Sequence, residues 1–460
     1  MKLSLCGIGT RLICLAMAAT LAVLPTLAEA APESKRNLPI VRDAEIEALI
    51  GDYVRPLLKA AGLSRSGIEV VLVNSDDFNA FVLGRRIFVN TGAITMTETP
   101  NQLIGILAHE IGHLAGNHQE RMREQIEHAQ TIAIVAGLLG AGIVAAGAVS
   151  GSRNASQAGT GLLAGSGSAI QRGLLSYQRG EESIADRAAI TYLDKTGQSG
   201  KGLLQTFDIL DRQNLFANSR VNTYLLSHPM PEDRKAAIQE AAQRSRYYDR
   251  TDPPELVERH QLARAKVAAY SGGMTAVRRL FARDPRSLAA LYGDAIATYL
   301  AGSTNGALTK MSALIASRPK NPWFEEMRGQ ILLDAGRGTE AAAAFRKAAQ
   351  LDGSRSGLLK AEIGQALVTT GDPKEMSRAI EYIKAGLQSD PDNATAYQFL
   401  AMAYGHTGDI GRAELATADG YWHAGAFREA KVFAARAQQK LKPGSPPWRQ
   451  AQDIITIPAH

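Results

Sequence analysis

The sequence predicts a mixed α+β domain followed by an all-α repeat domain, and three observations indicate this fold class. Strand-like apolar runs, such as residues 68–73 and 86–90, alternate with helical stretches up to about residue 250. The chain beyond the acidic Pro-Pro stretch at 251–254 is alanine-rich and helical, so a linker belongs there. Small residues and glycines then recur with a period near 35 residues, which is typical of helical repeat arrays. We therefore expect one domain at 31–250 and a second at 255–455.

The first thirty residues have the pattern of a secretory signal peptide. Lys2 and Arg11 provide a basic start, residues 12–24 an apolar core, and Ala28-Glu29-Ala30 a cleavage site of the small-x-small type. We expect residues 1–30 to be removed, and the mature chain would contain no part of this segment.

Composition excludes several classes of protein. Both cysteines, Cys6 and Cys14, lie in the predicted signal peptide, so we expect a mature chain without disulfides, thiolate metal ligands or a lipid anchor. The formal net charge of +6 is mild for 460 residues, and no basic block is interleaved with aromatic residues. The sequence therefore predicts no nucleic-acid partner.

His109, Glu110 and His113 form an H-E-x-x-H pattern in an apolar helix. A capping box at residues 99–102, with proline at the first helical position, predicts that this helix begins just before the motif. The two imidazoles, one turn apart, can bind one zinc ion, while Glu110 points toward the fourth, water-filled position as general base. The alternative, two solvent-exposed histidines on a polar face, conflicts with the leucines and isoleucines around them.

Two histidines and a water leave zinc one ligand short, so the chain must supply another. Glu182 is the best candidate, because Asp186 follows it by one helical turn in a helix 69 residues beyond His113. Asp186 would accept the spare ring N–H of a zinc histidine and fix its tautomer. Glu181, the neighbouring residue, is the alternative ligand. The residue one helical turn after Glu181 is Ala185, which cannot accept a hydrogen bond from a zinc histidine as Asp186 can. From spacing alone, the interpretation of Glu182 as an ordinary surface glutamate is favoured over that of a zinc ligand, since glutamates usually lie at the surface.

Residues 131–149 form an uncharged apolar run about as long as a membrane span requires. Alanine, glycine and valine dominate it, which makes its insertion into lipid weak, and its glycines lower its helix propensity. A second run, 158–175, is interrupted by polar residues. We expect residues 131–175 to form a helical hairpin, with its tip at 151–157, that covers the metal site and contacts a membrane or partner proteins. A true membrane span is the alternative.

The second half carries an internal repeat in which a glycine follows a small residue by seven positions and an alanine follows by twelve. The units are Ala295-Gly302-Ala307, Gly329-Gly336-Ala341 and Ala401-Gly408-Ala413, with Gly364-Gly371-Ala379 after a short insertion. They begin 34, 35 and 37 residues apart. The same spacing at Ala418-Gly425-Ala430, only 17 residues later, indicates one helix that serves two pairs. This period predicts stacked helix pairs that bind protein and have no chemistry of their own; an ordinary alanine-rich bundle is the alternative.

The H-E-I-G-H run, followed by E-x-x-A-D at 182–186, resembles the glutamate-zincin peptidases that include the CAAX-prenyl endopeptidase and HtpX. The repeats resemble the tetratricopeptide repeat, and the order of segments is similar to that of a periplasmic member of this family. The resemblance implies an α+β zincin-type metalloprotease domain followed by an all-α tetratricopeptide-repeat solenoid. It also implies one Zn²⁺ per chain, with Glu182 as the third ligand.

Two further stretches match family motifs, at residues 79–81 and 87–92. The resemblance implies that they form an edge strand that pairs with an extended substrate backbone, a use of unpaired strand groups that physical chemistry allows. The implied substrate-binding residues are Asn79, Phe81, Ile87 and Val89.

His228 lies in a third family stretch, residues 227–234, in a short loop beside Pro229. The resemblance implies that His228 can occupy the open zinc position as a latch and hold the protease off, because a fourth protein ligand displaces the nucleophilic water. Alternatively, His228 or Arg234 stabilises the oxyanion of the transition state. A solvated loop histidine is the third option.

The resemblance implies a periplasmic metalloendopeptidase, peripheral at the outer membrane, that acts in quality control and assembly of outer-membrane proteins. Its substrates would be misfolded or stalled outer-membrane proteins, and its partner the machinery that inserts them. The alternative is an assembly chaperone or scaffold that binds through the repeat domain with little proteolysis. The intact Glu110 favours the enzyme, because a site that no longer catalyses hydrolysis does not need a general base.

Overall fold

The computed structural model describes residues 38–63, 67–150, 153–216, 223–353 and 355–458. The predicted signal peptide lies outside these residues. The described chain divides into two compact units. One contains the strand Ile40–Val41 with Tyr53–Thr97 and Asn101–Asp252, and the other contains Arg42–Asp52, Glu98–Pro100 and the chain from Pro253 on.

The first unit contains a four-stranded mixed sheet in the order β1-β2-β4-β3. Its strands are β1 (Ile40–Val41), β2 (Glu69–Val73), β3 (Ala80–Leu83) and β4 (Arg86–Asn90). β2 runs parallel to β4, and β1 and β3 are antiparallel to their neighbours. Gly84 has φ +59° in the two-residue turn between β3 and β4, a conformation that favours glycine. This turn folds β3 back onto the outer side of β4.

Helices make up the rest of the first unit. They are the second half of α1 (Ala44–Ala60), then α2 (Thr91–Met96), α3 (Pro100–Gly116), α4 (His118–Ser150), α5 (Arg153–Lys195), α6 (Lys201–Phe216), α7 (Thr223–Ser227) and α8 (Glu232–Gln243). α3 begins at Pro100, where the capping pattern predicts its start.

The second unit is all helical among its described residues. Its helices are α9 (Pro254–Leu280), α10 (Leu288–Leu300), α11 (Thr304–Ser317), α12 (Pro322–Asp334), α13 (Gly338–Leu351), α14 (Gly357–Thr369), α15 (Met376–Ser389), α16 (Ala394–His406), α17 (Ile410–His423), α18 (Phe427–Lys440) and α19 (Pro446–Thr456). Consecutive helices pack on one another along the chain, as in a stacked array of helix pairs.

The repeat glycines end the first helix of each pair in the left-handed region that favours glycine. Their φ values lie between +67° and +87° at Gly302, Gly336, Gly371, Gly408 and Gly425. Side chains cap several of the helices by accepting hydrogen bonds from backbone N–H groups; these caps are Ser287, Asn321, Ser356, Asn393 and Asp409. Helix α17 packs against both α16 and α18, as a helix shared by two pairs would.

Residues 42–52 differ from the sequence-based expectation, because they belong to the second unit instead of the first. Ala44 is part of the apolar core of the repeat helices. Lys266, only 3% exposed in its side chain, lies 2.8 Å from Asp43 and 3.4 Å from Glu45. Removing these carboxylates from Lys266 would leave a buried ammonium less fully paired, which explains why the segment stays with the repeats.

Candidate active site and metal centre

Helix α3 positions the H-E-x-x-H residues at one buried spot. Leu103, Ile106, Leu107 and Ile111 are fully buried and fix the helix in the core of the first unit. His109 and His113, one turn apart, then project from the same face, and their Nε2 atoms lie 2.9 Å apart.

Gly112 allows the helix with the acidic residues to approach α3 closely. A Cβ atom at this position would lie 2.9 Å from the backbone oxygen of Ala185 on α5. A larger residue would therefore separate the two helices, and the glycine brings Glu182 and Asp186 against the histidines.

Four buried side chains converge here on a volume suited to a metal ion. Among the residues that the structure describes, His109, His113, Glu182 and His228 each offer a ligand atom within 4.8 Å of the others. The Glu182 oxygens lie 3.4 Å from His109 Nε2 and 3.5 Å from His113 Nε2. Tetrahedral zinc with bonds of about 2.0–2.2 Å places its ligand atoms about 3.4 Å apart. The distances from Glu182 to the two histidines therefore fit a tetrahedral metal ion, whereas the two histidine nitrogens, 2.9 Å apart, lie closer together than that spacing.

Asp186 and Arg234 lie directly behind these donors. Asp186 Oδ1 is 3.0 Å from His109 Nδ1, within hydrogen-bonding distance. Arg234 donates two hydrogen bonds to Asp186, of 2.7 and 2.9 Å, and one of 2.6 Å to the Pro229 carbonyl. Its Nη1 also lies 3.1 Å from Glu182 Oε2. The Arg234 guanidinium thus contacts the carboxylates of Asp186 and Glu182. Its role in stabilising the oxyanion of the transition state stays a prediction.

The pKa values of the buried residues Glu110 and Glu182 shift in opposite directions. Burial raises the pKa of Glu110, and nearby His228 and His109 offset this only in part. Burial would also raise the pKa of Glu182, but hydrogen bonds from His109, His113 and His228 outweigh it and hold that pKa well below its usual range. Glu182 is thus ionised, as a metal ligand must be.

Glu110 points toward the donors from the side of the sheet. It accepts a hydrogen bond from the Val82 backbone N–H. Its Oε1 atom is buried and has no hydrogen-bond partner among the described residues. Such an atom is well placed to accept a proton from a group bound at the metal position.

Comparison with known proteins agrees with this geometry. Residues 42–242 match the family model described as peptidase family M48. This part of the chain is an M48 peptidase domain. Its family and its buried donor set together make the protein a metallopeptidase.

The M48 domain and the repeats also resemble curated proteins along most of their length. The "Beta-barrel assembly-enhancing protease" of Escherichia coli strain K12 is 24% identical over 420 residues, which cover 89% of this chain and 82% of that protein. The "Putative beta-barrel assembly-enhancing protease" of Vibrio cholerae is 29% identical over 304 residues, 63% of this chain and 59% of that protein. A tetratricopeptide repeat protein from Parabacteroides merdae aligns with 55% of this chain and 96% of its own at 13% identity; its TM-score of 0.30 is too low to establish a shared fold.

His228 of the M48 domain is buried, with 8% of its surface exposed, directly after helix α7. Its Nδ1 lies 2.9 Å from Glu182 Oε1, and its Nε2 lies 3.6 Å from Glu110 Oε1. Its ring packs on that of Tyr224, with centroids 4.7 Å apart. The ring is held among the ligand residues, so the solvated-loop alternative does not describe this structure.

The structure places only part of the predicted substrate strand at a sheet edge, and the role of this strand toward a substrate stays a prediction. Ile87 and Val89 lie fully buried on β4, which β2 and β3 flank, so their identification with an edge is wrong. Asn79 and Phe81 lie before and on β3, the outer strand of the described sheet. Asn79 accepts a backbone hydrogen bond from Asn90, so alternation directs the backbone groups of Asn79 and Phe81 toward β4.

The outward backbone groups of β3 therefore belong to Ala80 and Val82. Val82 connects the edge to the site, because its N–H binds Glu110 and its carbonyl accepts a hydrogen bond from the Gln119 side chain. Both outward backbone groups of Val82 therefore already have partners within the M48 domain.

The predicted hairpin corresponds to two helices that pack side by side, α4 and α5. Both are longer than the apolar runs, and α5 continues without a break to Glu182 and Asp186. Among the described residues, no helix meets the length and hydropathy needed to cross a membrane.

Two residues at the site were not singled out from the sequence. Tyr224 is fully buried against His228, and His118 contacts His113. A Gly-Asn pair at 116–117 is a helix C-terminal signal that could have drawn attention to His118. No pattern in the sequence marks Tyr224.

Proposed function

We propose that the M48 domain is a zinc-dependent endopeptidase. The observation that carries the proposal is the convergence of His109, His113 and Glu182, whose donor atoms lie 2.9–3.5 Å apart, near the buried Glu110, whose Oε1 atom has no hydrogen-bond partner among the described residues. Two imidazoles and one carboxylate are a donor set found at catalytic zinc sites. Zinc content and casein cleavage, compared between the wild type and Glu110→Gln, test it.

The side chains divide the chemistry among them. Bound at His109, His113 and Glu182, Zn²⁺ would supply Lewis acidity toward the scissile carbonyl and would lower the pKa of a water molecule. Glu110 would accept a proton from the water as the water oxygen bonds to the carbonyl carbon, and would give that proton to the amine as the C–N bond breaks. Asp186 fixes the tautomer of His109, and Arg234 holds Asp186 and Glu182 in place. The Val82 N–H keeps the Glu110 carboxylate aimed at the site.

We further propose that the substrates are misfolded or stalled outer-membrane proteins, met in the periplasm or at the outer membrane. Support comes from relatives named beta-barrel assembly-enhancing protease over most of the chain. The repeat unit supplies helix pairs of the kind that bind protein segments, and the insertion machinery is its proposed partner. An unfolded outer-membrane β-barrel protein should be cleaved by wild type while its folded form survives. Equal resistance of both forms would contradict this substrate class.

The chaperone alternative predicts binding without cleavage. The buried, complete donor set and Glu110 favour the enzyme, because buried ionisable groups without a function cost stability. A chain that prevents aggregation of the same substrate equally well with and without Glu110 would support the chaperone alternative.

We propose that His228 is a latch. Its ring lies between Glu182 and Glu110, at 2.9 and 3.6 Å, where a substrate carbonyl or water must enter. A ring in this position supplies a fourth protein donor and closes the site.

His228→Ala should therefore raise basal casein cleavage, with self-cleavage as a symptom. A latch favoured by about 1.4 kcal/mol would hold activity about tenfold below its unlatched value. Casein hydrolysis is the measurement, and His128→Ala, at an exposed histidine on α4, is the control. A loss of about 10²–10³-fold would instead assign His228 to transition-state stabilisation.

We propose that the hairpin formed by α4 and α5 contacts a membrane surface or partner proteins without crossing the membrane. Large apolar side chains on α4 are unusually exposed, between 51% and 70%, at Ile132, Ile134, Val135, Leu138 and Leu139. A span over residues 131–149 would also require a second crossing over residues 158–175, which would place Gln171 and Arg172 near the hydrocarbon at a high cost.

The chain without residues 1–30 should be released from membranes by high salt or carbonate. A chain that also lacks Ala136–Gly167 should remain folded and keep its zinc, because the deleted residues contribute no ligand. Fractionation and metal analysis check both statements. A chain that high salt and carbonate leave in the membrane, and that only detergent extracts, would be an integral membrane protease.

A further inference from the structure

A break between α3 and α4 turns His118 back toward the site. On a continuous helix of 3.6 residues per turn, His118 would lie about 140° around the axis from His113. Asn117 instead has φ +52°, in the left-handed region that asparagine tolerates. As a result His118 Nδ1 lies 2.9 Å from His113 Nδ1, on the side of that ring away from the other metal donors.

The other nitrogen of His118 meets a carboxylate. His118 Nε2 lies 3.1 Å from Glu181 Oε2, and Arg121 donates a 2.9 Å hydrogen bond to the same oxygen. His118 and Glu181 are buried, with 4% and 7% of their surfaces exposed. Glu181, the rival ligand from the sequence, thus has a different set of neighbours from Glu182.

Gly116 provides the space for this ring. A Cβ atom at residue 116 would lie 2.0 Å from His118 Nε2 and 2.2 Å from its Cδ2. No side chain fits there unless the His118 ring moves, so the turned-back position depends on glycine.

The contacts determine which ring nitrogen of His113 and of His118 carries the hydrogen atom. His113 Nε2 faces the donor cluster and must offer a lone pair to a metal, so its Nδ1 carries the hydrogen. That N–H can donate to His118 Nδ1 only if His118 carries its own hydrogen on Nε2. Glu181 beside Nε2 favours this tautomer, because a carboxylate accepts and does not donate.

We propose that His118 is a positioning residue for the metal ligand His113, and that Glu181 selects the His118 tautomer required for this role. The proposal rests on the proposed zinc function and extends it. Asp186 meets His109 directly, at 3.0 Å, whereas the chain from His113 to a carboxylate passes through His118. Both zinc histidines then have a fixed ring orientation and raised basicity, which strengthen metal binding.

A pair of amide variants separates the two contacts of His118. His118→Asn keeps an acceptor oxygen near the position of Nδ1, whereas His118→Gln places its amide near Nε2 and leaves His113 without an acceptor. Zinc affinity, from competition with a chromophoric chelator, should stay near wild type in His118→Asn and weaken about 10–100-fold in His118→Gln. The visible spectrum of the cobalt-loaded full chain should change only in His118→Gln.

Glu181→Gln tests the tautomer. An amide can donate to Nε2 or accept from it, so it no longer selects one form of His118. Glu181→Gln should weaken zinc binding in the wild-type background and have no effect in His118→Asn, whose oxygen needs no tautomer.

Gly116→Ala displaces the His118 ring without changing His118 itself. It therefore tests the proposal even if His118→Gln fails to fold. It should weaken zinc binding as His118→Gln does, while Gly137→Ala, where an added Cβ meets no neighbour, should not. Thermal unfolding of the metal-free proteins shows that each variant is folded.

Equal zinc affinities of His118→Asn and His118→Gln, whether high or low, would overturn the positioning role, as would wild-type affinity in Gly116→Ala. A wild-type chain that binds no zinc at all would instead contradict the proposed function. The two failures are therefore distinguishable.

Discussion

Glu110→Gln should keep zinc and lose peptide hydrolysis by at least the ~10²–10⁴-fold typical of a lost general base. Glutamine is nearly isosteric and leaves His109, His113 and Glu182 in place, so metal content should not change. An amide cannot take the proton of the attacking water at neutral pH. Initial rates of casein cleavage and metal analysis of the same sample are the measurements.

Glu240→Gln is the matched control for this variant, because Glu240 lies on α8 with 68% of its side chain exposed. It should cleave casein at the wild-type rate. Full activity of Glu110→Gln would contradict the proposed mechanism and move the base elsewhere.

Glu182→Ala should lose the metal itself. Removal of a residue that only orients a ligand costs about 10–100-fold in metal affinity, and removal of a ligand should cost more. The change also leaves Arg234 Nη1 without the carboxylate 3.1 Å away, so some loss of stability is expected. Zinc per chain after dialysis against buffer with a weak chelator is the measurement.

Glu240→Ala provides the control for general effects of a lost glutamate and should retain zinc. Full zinc occupancy in Glu182→Ala would show that the third ligand is another residue. Glu181 would be the first to test, although its contacts with His118 and Arg121 argue against that role.

The part of the site that depends on local periodicity could be predicted from the sequence. His109, Glu110 and His113 share one helix, and a spacing of four residues determines that they face the same way. The repeat glycines could be predicted for the same reason, since each ends a helix in a conformation that favours glycine. The assignment of Glu182 as a zinc ligand depended on the family resemblance, because spacing alone does not distinguish it from a surface glutamate.

The part that depends on long-range pairing could not be predicted. Ile87 and Val89 have the pattern of any buried strand, and their sequence does not show that β3 lies outside β4. Residues 42–52 read as an ordinary amphipathic helix, and their place with the repeats depends on Lys266, more than 200 positions later. Helical periodicity places His118 away from the site, and one residue at φ +52° reverses that.

We propose that this chain hydrolyses peptide bonds with one zinc ion bound between α3 and α5. The decisive measurement is removal of the metal from the purified chain with a strong chelator, followed by titration with zinc. Casein cleavage should disappear with the metal and return in full at one equivalent of zinc per chain. Undiminished cleavage by the metal-free protein would contradict the claim.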